Sequence, residues 1–393
     1  MINVVDLFSG AGGLTFGFQY KVYGERFVRN NKFNILFANE YDHAAAEAFR
    51  LNFPHIPLIE ADIATIGHET LELHNINFDN VDLVIGGPPC QSYSTVGKRQ
   101  YDQRAKMYKE YRRLLAMLQP KMFIFENVVG LLSMKTDKGI PVIDDIYQMF
   151  SSLEGANDVG YKITHKILNA QDFGVPQSRQ RVFIVGIRKD INVQWTFPES
   201  MAHRQNYQYL TVADAISDLP ELNAGEETQL YNALPTNRYQ RLMRHNAENL
   251  FNHKAGQPTP KIQAVINALG EGDGKDTINR LVAEGALGEE CFLTSGYPNT
   301  YGRLWWDRAS TTITNSLGTP SALRCIHPHQ NRALTTREGA RLQSFPDFIR
   351  FVGTKSECNS QVGNAVPPLL AMYLAKQVVR CFKEMDRRIA DEQ

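Results

Sequence analysis

One cysteine of the chain lies in a loop suited to a nucleophile. Cys90 follows the segment Gly86–Pro89, which comes directly after the apolar run Val81–Ile85. Glycines permit a tight turn and prolines restrict the backbone, so the loop delivers one thiol to the end of a buried strand. Open α/β sheets place their ligands at that end. A cysteine needed only for packing requires no such loop, so we interpret Cys90 as a nucleophile.

A glutamate and two arginines are the next candidates for chemistry. Glu126 lies in the apolar run 123–128, where a carboxylate is costly to bury unless it is paired or used. Desolvation would raise its pKa and suit it to donate a proton; the alternative is an edge-strand glutamate that faces water. Arg179 and Arg181 share one face of the following strand, and two guanidiniums suit an anion or a carbonyl that gains charge. Surface ion pairing is the alternative for the two arginines.

A glycine-rich turn over residues 6–14 follows the first strand and opens a helix. Glycines there let backbone N–H groups approach a polar ligand, although such a turn is often only a tight connection. Glu40 ends the second strand, where dinucleotide-type folds bind ribose hydroxyls, and we interpret Asp42 as the cap of the next helix. Asp62 could accept a hydrogen bond from an adenine amino group or could simply be solvated.

Two groups of basic residues could contact a phosphate backbone. The first follows the cysteine loop and alternates with tyrosines, which suits phosphates and stacked bases; it comprises Lys98, Arg99 and Arg104. The second has helical spacing and comprises Arg238, Arg241 and Arg244. Runs of charge are often solvated faces, so a stabilised surface remains the alternative for both groups.

These residues require an α/β framework to position them. Strand-like runs occur at Ile2–Phe8, Phe33–Ala38, Val81–Ile85 and Met122–Phe125, with helical stretches between them. The segments predicted as helices are Asp42–Asn52, one beginning near Pro141, and Val366–Phe382. Two further strands, Tyr161–Leu168 and Arg181–Arg188, are predicted at a sheet edge. Beyond about residue 190 the alternation stops, which indicates a separate domain.

Composition limits the class of protein. The chain has 393 residues, 43% hydrophobic residues and formal charge zero, which is typical of a globular protein of two or three domains. The five cysteines are widely spaced without a C-x-x-C pair, which argues against a disulfide framework and a zinc site and for a reducing cytosol. No apolar stretch approaches about 18 residues, and the first residues lack the basic region of a secretory signal. We therefore expect a cytoplasmic protein without membrane contact.

Six segments in order resemble the motifs of the DNA cytosine-5 methyltransferase family, from residue 3 to about 376. They are Phe-x-Gly-x-Gly at 8–12, Pro-Cys-Gln at 89–91, Glu-Asn-Val at 126–128, Gln-x-Arg-x-Arg at 177–181, Arg-Glu-Gly-Ala-Arg-Leu-Gln-Ser-Phe-Pro at 337–346 and Gln-Val-Gly-Asn-Ala-Val-Pro at 361–367. Six blocks in order are far more specific than any one of them.

The resemblance implies a doubly wound, Rossmann-like α/β sheet that binds S-adenosylmethionine, with a second, smaller target-recognition domain. Residues 1–189 and 356–393 would form the discontinuous catalytic domain, and residues 190–355 the target-recognition domain and hinge. Phe8 would stack on the adenine, Glu40 would bind the ribose hydroxyls and Asp62 the exocyclic amine. The further residues of the implied cofactor pocket are Ser9, Gly10, Gly12, Gly13, Leu14, Tyr41, Ile63, Pro88, Asn364, Ala365 and Val366.

The resemblance also implies a mechanism. Cys90 would add to C6 of cytosine, Glu126 would hydrogen-bond or protonate N3, and Arg181, helped by Arg179, would stabilise the oxygen at C2. None of these groups could reach C6 inside a duplex, so the cytosine must be flipped out of double-stranded DNA. Ser94 belongs with the basic residues as a candidate DNA contact. We expect a monomer that binds the nucleoid, with a cognate restriction endonuclease in the same restriction-modification system, or a phage or orphan methylase.

Two other functions compete. Methylation of transfer RNA is favoured weakly by Cys291-Phe292-Leu293-Thr294, which is similar to a motif of the family's RNA-directed branch, although Leu293 interrupts it. The second competing function is that of a non-catalytic DNA-binding protein that retains the cofactor. The presence of Cys90, Glu126 and Arg181 together disfavours this alternative.

Overall fold

Strands and helices alternate along the first half of the chain. The computed structural model describes residues 1–89, 107–153, 160–294, 296 and 299–392. The strands are β1 (Ile2–Leu7), β2 (Tyr20–Tyr23), β3 (Arg26–Arg29), β4 (Phe33–Glu40), β5 (Leu58–Glu60), β6 (Leu83–Gly86), β7 (Met122–Val128), β8 (Tyr161–Asn169), β9 (Gln180–Arg188), β10 (Gly302–Arg303) and β11 (Arg324–Ile326). The helices are α1 (Gly13–Gln19), α2 (His43–Asn52), α3 (His68–Leu73), α4 (Met107–Leu118), α5 (Val142–Ser151), α6 (Val212–Ile216), α7 (Arg238–Arg244), α8 (Pro260–Ala268), α9 (Lys275–Ala283), α10 (Thr336–Leu342), α11 (Lys355–Asn364) and α12 (Pro368–Glu392).

A seven-stranded sheet organises the fold, in the order β5-β4-β1-β6-β7-β9-β8. The first five strands in this order are parallel neighbours, whereas β9 is antiparallel to both β7 and β8. The chain starts at β1, proceeds outward to β5, and returns to β6 on the other side of β1. The point between β1 and β6 is therefore the topological switch point, where open α/β sheets bind ligands.

Both faces of the sheet are covered at its central strands, which are apolar on both sides. In β7, Ile124 packs into one core with residues of α1, α2 and α12, and its neighbour Phe125 packs into a second core with residues of α4 and α5. Continuous apolar runs of this kind are typical of parallel strands that are buried on both faces. The prediction of a doubly wound α/β sheet is confirmed.

The predicted elements of the first half are confirmed with small shifts of their ends. Asp42 caps α2, since its side chain accepts a hydrogen bond from the backbone N–H of Ala45. Pro141 directly precedes α5, whose buried face is Val142, Ile146 and Phe150. The two added strands lie at the sheet edge as β9 and β8.

The C-terminal helix returns to the first one. A Cβ on Gly17 would lie 2.3 Å from the Cβ of Ala371, so α1 and α12 pack at close range where glycine allows it. Residues of the 190–355 region, such as Val212 and Leu334, contribute to the same core as α1 and α12. The division into two domains stays a prediction. Among the described residues, no helix has the length and apolar character needed to cross a membrane.

Candidate active site

The predicted site segments meet at one edge of the sheet. Leu7, at the end of β1, pairs with Asn39 of β4 on one side and with Gly86 of β6 on the other. Gly86 pairs in turn with Phe125 of β7, the residue before Glu126. Because these strands are parallel, the glycine turn, Glu40, the root of the cysteine loop and Glu126 all lie at the edge where strands end. Cys90, Ser94, Lys98, Arg99 and Arg104 lie outside the described residues.

The glycine turn after β1 has a left-handed backbone. Phe8, Gly10 and Gly12 have φ of 57°, 55° and 89°. The Ser9 N–H donates to the carbonyl of Asn39 at 2.9 Å, which ties the turn to β4. A left-handed phenylalanine is strained and persists only where its surroundings hold it, and such strain is typical of functional turns. The Ser9 hydroxyl is buried and has no hydrogen-bond partner among the described residues.

Glu40 organises the neighbouring turn. Its Oε2 accepts from the N–H of Gly10 at 2.7 Å, and its Oε1 accepts from the N–H groups of Tyr41 at 2.9 Å and Asp42 at 2.8 Å. Burial nevertheless raises the pKa of Glu40 above its ordinary value, an effect that the three N–H donors oppose. Of the roughly four lone-pair sites of the carboxylate, one on Oε2 stays unused beside the glycine turn. Tyr41 is 75% exposed next to it.

Asp6 connects β1 to the helix that follows the same turn. This residue was not identified from the sequence. It is fully buried on β1, and its Oδ2 accepts from the hydroxyl of Thr15 in the first turn of α1. Burial raises the pKa of Asp6 to about 7; the charge of Glu40 also raises it, and the Thr15 hydrogen bond opposes the shift. The signal available in the sequence was an aspartate that ends an apolar strand.

The pH dependence of stability should reveal Asp6. A carboxyl whose pKa is higher in the folded than in the unfolded state stabilises the fold at low pH, and this contribution is lost as the pH rises through about 7. We expect the free energy of unfolding of the wild-type protein, relative to Asp6→Asn, to fall by about 2 kcal/mol between about pH 5.5 and pH 8. Urea titrations at both pH values measure it. The exposed Asp79→Asn is the control, and equal pH slopes for all three proteins would contradict the prediction.

The C-terminal segment completes the glycine turn. A Cβ on Gly13 would lie 2.4 Å from the carbonyl oxygen of Val366 and 3.2 Å from the Cβ of Ala365. Residues 13 and 366 are therefore in direct backbone contact, and only glycine fits at position 13. Asn364 is exposed at this point. Predicted cofactor residues from both ends of the chain thus lie together.

The remaining predicted cofactor residues border the same edge. Asp62 is exposed beyond β5 and caps a short turn of 3₁₀-helix by accepting from the N–H of Ala64 at 3.0 Å. Ile63 and Leu14 are buried in the two different cores. Pro88 is buried at the root of the cysteine loop.

Glu126 is paired with an arginine in a buried position. It is 7% exposed, and its Oε1 lies 3.1 Å from Nε of Arg181. Burial raises the pKa of Glu126, while the charges of Arg181 and Arg179 lower it. Burial thus favours the protonated carboxyl of Glu126, and the two neighbouring positive charges favour its carboxylate. The edge-strand alternative is excluded, because β7 lies inside the sheet.

The root of the cysteine loop lies directly against this pair. A Cβ on Gly87 would lie 2.7 Å from Oε2 of Glu126, so a side chain at this position would force the Glu126 carboxylate to move. Asn127 donates from Nδ2 to the carbonyl oxygen of Pro88 at 3.2 Å. The segment that leads to Cys90 is therefore attached to the strand that carries Glu126.

Arg179 has a different environment from Arg181. It is 1% exposed and donates to two backbone carbonyls, those of Ile313 at 2.7 Å and Gly363 at 2.8 Å. The role of Arg179 in stabilising the oxygen at C2 stays a prediction.

The three arginines of α7 all have partners within the chain. Arg238 donates to the carbonyl of Gly24, Arg241 pairs with Glu25 at 2.9 Å, and Arg244 donates to the carbonyl of Ala233 at 2.6 Å.

Those α7 contacts favour the stabilised-surface alternative. Gly24 and Glu25 form the tip of the β2–β3 hairpin, which directly precedes β4. Contact of these arginines with DNA stays a prediction.

The fold and the site define a class. A doubly wound sheet with a glycine turn at its switch point, and a buried carboxylate–arginine pair beside the root of the cysteine loop, is the arrangement of an α/β enzyme that uses a nucleotide-type cofactor. The chain belongs to the C-5 cytosine-specific DNA methylase family, whose model matches residues 2–380, and its activity is DNA cytosine-5 methylation.

Similar proteins cover nearly the whole chain. The type II methyltransferase M.DdeI of Desulfomicrobium norvegicum is 35% identical over 98% of this chain and 90% of its own length. The type II methyltransferase M1.HphI of Haemophilus parahaemolyticus is 37% identical over 96% of this chain and 87% of its own length. A crystal structure of a putative DNA modification methyltransferase encoded within an E. coli prophage has a TM-score of 0.73 at 24% identity, covers 98% of this chain and 100% of that one, and shows the same fold.

Proposed function

We propose that the chain transfers a methyl group from S-adenosylmethionine to C5 of a cytosine that has been flipped out of double-stranded DNA, as the modification enzyme of a restriction-modification system. One observation carries the chemistry: the buried pair of Glu126 and Arg181 lies against the root of the cysteine loop, at the same edge as the glycine turn. The names of the two type II relatives support the biological context.

The glycine turn fits S-adenosylmethionine. Gly13 and Val366 bring the glycine turn and the C-terminal segment into backbone contact, and Glu40 offers an unused acceptor lone pair to a ribose hydroxyl. The aromatic ring of Phe8 and the exposed carboxylate of Asp62 would hold the adenine, and the buried Ser9 hydroxyl would gain a partner. Bound there, the cofactor supplies an electrophilic methyl group. The carboxylate of Glu40 makes the contact that is easiest to test.

Replacing Glu40 with glutamine should weaken cofactor binding about tenfold, because one acceptor oxygen becomes a donor that faces hydroxyl and N–H donors. Titration calorimetry with S-adenosylhomocysteine, without DNA, measures the dissociation constant. The matched control is Glu47→Gln on α2, whose carboxylate pairs with Arg50 on the surface. Equal affinities for wild type and Glu40→Gln would remove Glu40 from the pocket.

The proposed chemistry follows from the charges at the site. The thiolate of Cys90 adds to C6 and pushes electron density toward N3 and C5. Glu126 donates its proton or a hydrogen bond to N3, and Arg181 stabilises the oxygen at C2, so that C5 becomes nucleophilic. After C5 has gained the methyl group, a base removes the C5 proton, the C5–C6 double bond re-forms and the thiolate leaves, and any proton on N3 returns to Glu126.

We further propose the division of the chain into two parts. Residues 1–189 and 356–393 form the catalytic part, which is supported by the contacts of Gly13 with Val366 and of Gly17 with Ala371. Residues 190–355 form the part that selects the DNA sequence. The proposed DNA contacts include Ser94, Lys98, Arg99 and Arg104, which lie outside the described residues.

Bisulfite sequencing of plasmid DNA from cells that express the protein tests the function. We expect one short sequence to carry methylated cytosine at every copy, and the same plasmid to resist an endonuclease that cuts that sequence. A parallel assay on transfer RNA should show no methylation. Methylated transfer RNA with unmodified plasmid would overturn the proposal in favour of the RNA-directed alternative, and methylation of neither would favour a non-catalytic protein.

A further inference from the structure

A buried network of hydrogen bonds connects the two halves of the proposed site. Three polar side chains form it, and they are almost completely excluded from solvent: Gln177 and Gln343 are 0% exposed and Arg179 is 1% exposed. Buried polar side chains that are fully engaged fix the relative position of the segments they join.

Arg179 makes the first connection. Its Nη1 donates to the carbonyl oxygen of Ile313 at 2.7 Å and its Nη2 donates to that of Gly363 at 2.8 Å. Gly363 directly precedes Asn364, the first residue of the proposed cofactor segment, and Arg179 lies two residues before Arg181. One guanidinium therefore spans the distance between the cofactor segment and the strand that carries the base-binding arginine.

The two glutamines make a second connection in parallel. Nε2 of Gln177 donates to Oε1 of Gln343 at 2.9 Å, and Nε2 of Gln343 donates to the carbonyl oxygens of Val362 at 2.8 Å and Ala365 at 3.4 Å. Oε1 of Gln177 accepts from the N–H of Ile313 at 2.8 Å. Both routes thus join the start of β9 to the same short segment.

The packing around this segment leaves no room for independent movement. A Cβ on Gly363 would lie 2.1 Å from the carbonyl carbon of Thr314, and Gly13 is in backbone contact with Val366. Close-packed interiors transmit displacements instead of absorbing them. A ligand that fixes residues 364–366 therefore also fixes residues 313–314 and the start of β9.

We propose that Arg179 is a positioning residue that couples binding of the methyl donor to the pocket for the target base, and does not itself contact the base. When the cofactor fixes the C-terminal segment, the guanidinium holds β9 so that Arg181 faces Glu126. By reciprocity, DNA binding then strengthens cofactor binding by the same factor. This inference rests on the proposed function, because it takes residues 364–366 as cofactor-binding and Arg181 as base-binding.

The coupling factor is measurable. It is the dissociation constant for a duplex that contains the sequence found by bisulfite sequencing, measured without S-adenosylhomocysteine, divided by the constant at saturating S-adenosylhomocysteine. We expect a factor of about 10 for the wild-type protein and about 1 to 2 for Arg179→Lys. Lysine keeps the positive charge near Glu126 but lacks the planar fork whose two nitrogens reach the two carbonyls separately.

Two further variants separate coupling from stability. Arg337 is equally buried and donates to the carbonyls of Phe251, Pro346 and Ile349, away from the cofactor segment, so Arg337→Lys should lower the melting temperature and leave the coupling factor unchanged. Gln343→Met removes the second connection without adding a buried charge and should also reduce the factor. If Arg179→Lys does not fold, the coupling factor of Gln343→Met provides the test of the inference.

Each outcome has a distinct meaning. Reduced coupling in Arg179→Lys and Gln343→Met, with unchanged coupling in Arg337→Lys, supports the inference. Equal factors in all variants, or a wild-type factor of 1, overturn it. Loss of turnover in Arg179→Lys with normal coupling would assign Arg179 to the base instead. If the wild-type protein does not methylate the duplex, the proposed function itself fails.

Discussion

A Cys90→Ser variant is expected to lose methyl transfer by at least about 10⁴-fold, as is typical when a covalent nucleophile is removed. A serine hydroxyl is almost entirely protonated at neutral pH and cannot add to C6, whereas binding of cofactor and DNA does not require the thiolate. Transfer of tritiated methyl groups to plasmid DNA measures turnover, and calorimetry with S-adenosylhomocysteine confirms that the pocket remains intact. Turnover near the wild-type rate would refute the assignment of Cys90.

The other cysteines provide the controls. Cys291, Cys325, Cys358 and Cys381 are all buried. Burial raises the pKa of Cys325 to about 12, of Cys358 to about 11 and of Cys381 to about 12, so these thiols carry almost no thiolate at neutral pH. A duplex with 5-fluorocytosine at the target, incubated with S-adenosylmethionine, should trap the wild-type protein and a Cys325→Ser variant covalently, because C5 has no proton to lose once it has gained the methyl group. The Cys90→Ser protein should not be trapped, and trapping of it would point to another nucleophile.

The sheet was largely predictable because its signals are local. The strands β1, β4, β6 and β7 are mainly apolar runs, and the starts of α2 and α5 are marked by the cap Asp42 and by Pro141. The sites at the strand ends follow from the rule that parallel strands end at one edge. That is why Glu40, the cysteine loop and Glu126 could be expected together.

The side-chain contacts between distant parts of the chain could not be predicted from local sequence patterns. Arg179 reaches Gly363 across 184 residues, and nothing in the local pattern of either segment indicates the contact. The sequence placed Arg179 and Arg181 on one face as a pair. In the structure Arg179 donates to backbone carbonyls, whereas Arg181 pairs with Glu126. Similarly, helical spacing showed a basic stripe on α7 but not the partners of its arginines. Residue type and spacing predict what a side chain can do, and tertiary contacts decide which of these it does.

Glu126→Gln should lower the rate of methyl transfer by about 10²- to 10⁴-fold, the range for loss of a general acid. Glutamine fills the same space and can still donate a hydrogen bond to N3, but it cannot transfer a proton. A loss in this range therefore means that the proton itself moves, whereas a loss of tenfold or less would show that a hydrogen bond suffices. Single-turnover rates at saturating DNA and cofactor separate this effect from binding, and Glu110→Gln on α4, which pairs with Arg113, is the matched control.

The pH profile gives an independent test of the same proton. If protonated Glu126 is required, the wild-type rate falls as the pH rises through the pKa of Glu126, which burial raises and Arg181 lowers. Glu126→Gln should lack this descending limb. Arg181→Gln removes a positive charge that favours the carboxylate, so the limb should move to higher pH even though the maximal rate also falls. A limb that stays in place in both variants belongs to another group, and Glu126 would then act only by orienting Arg181.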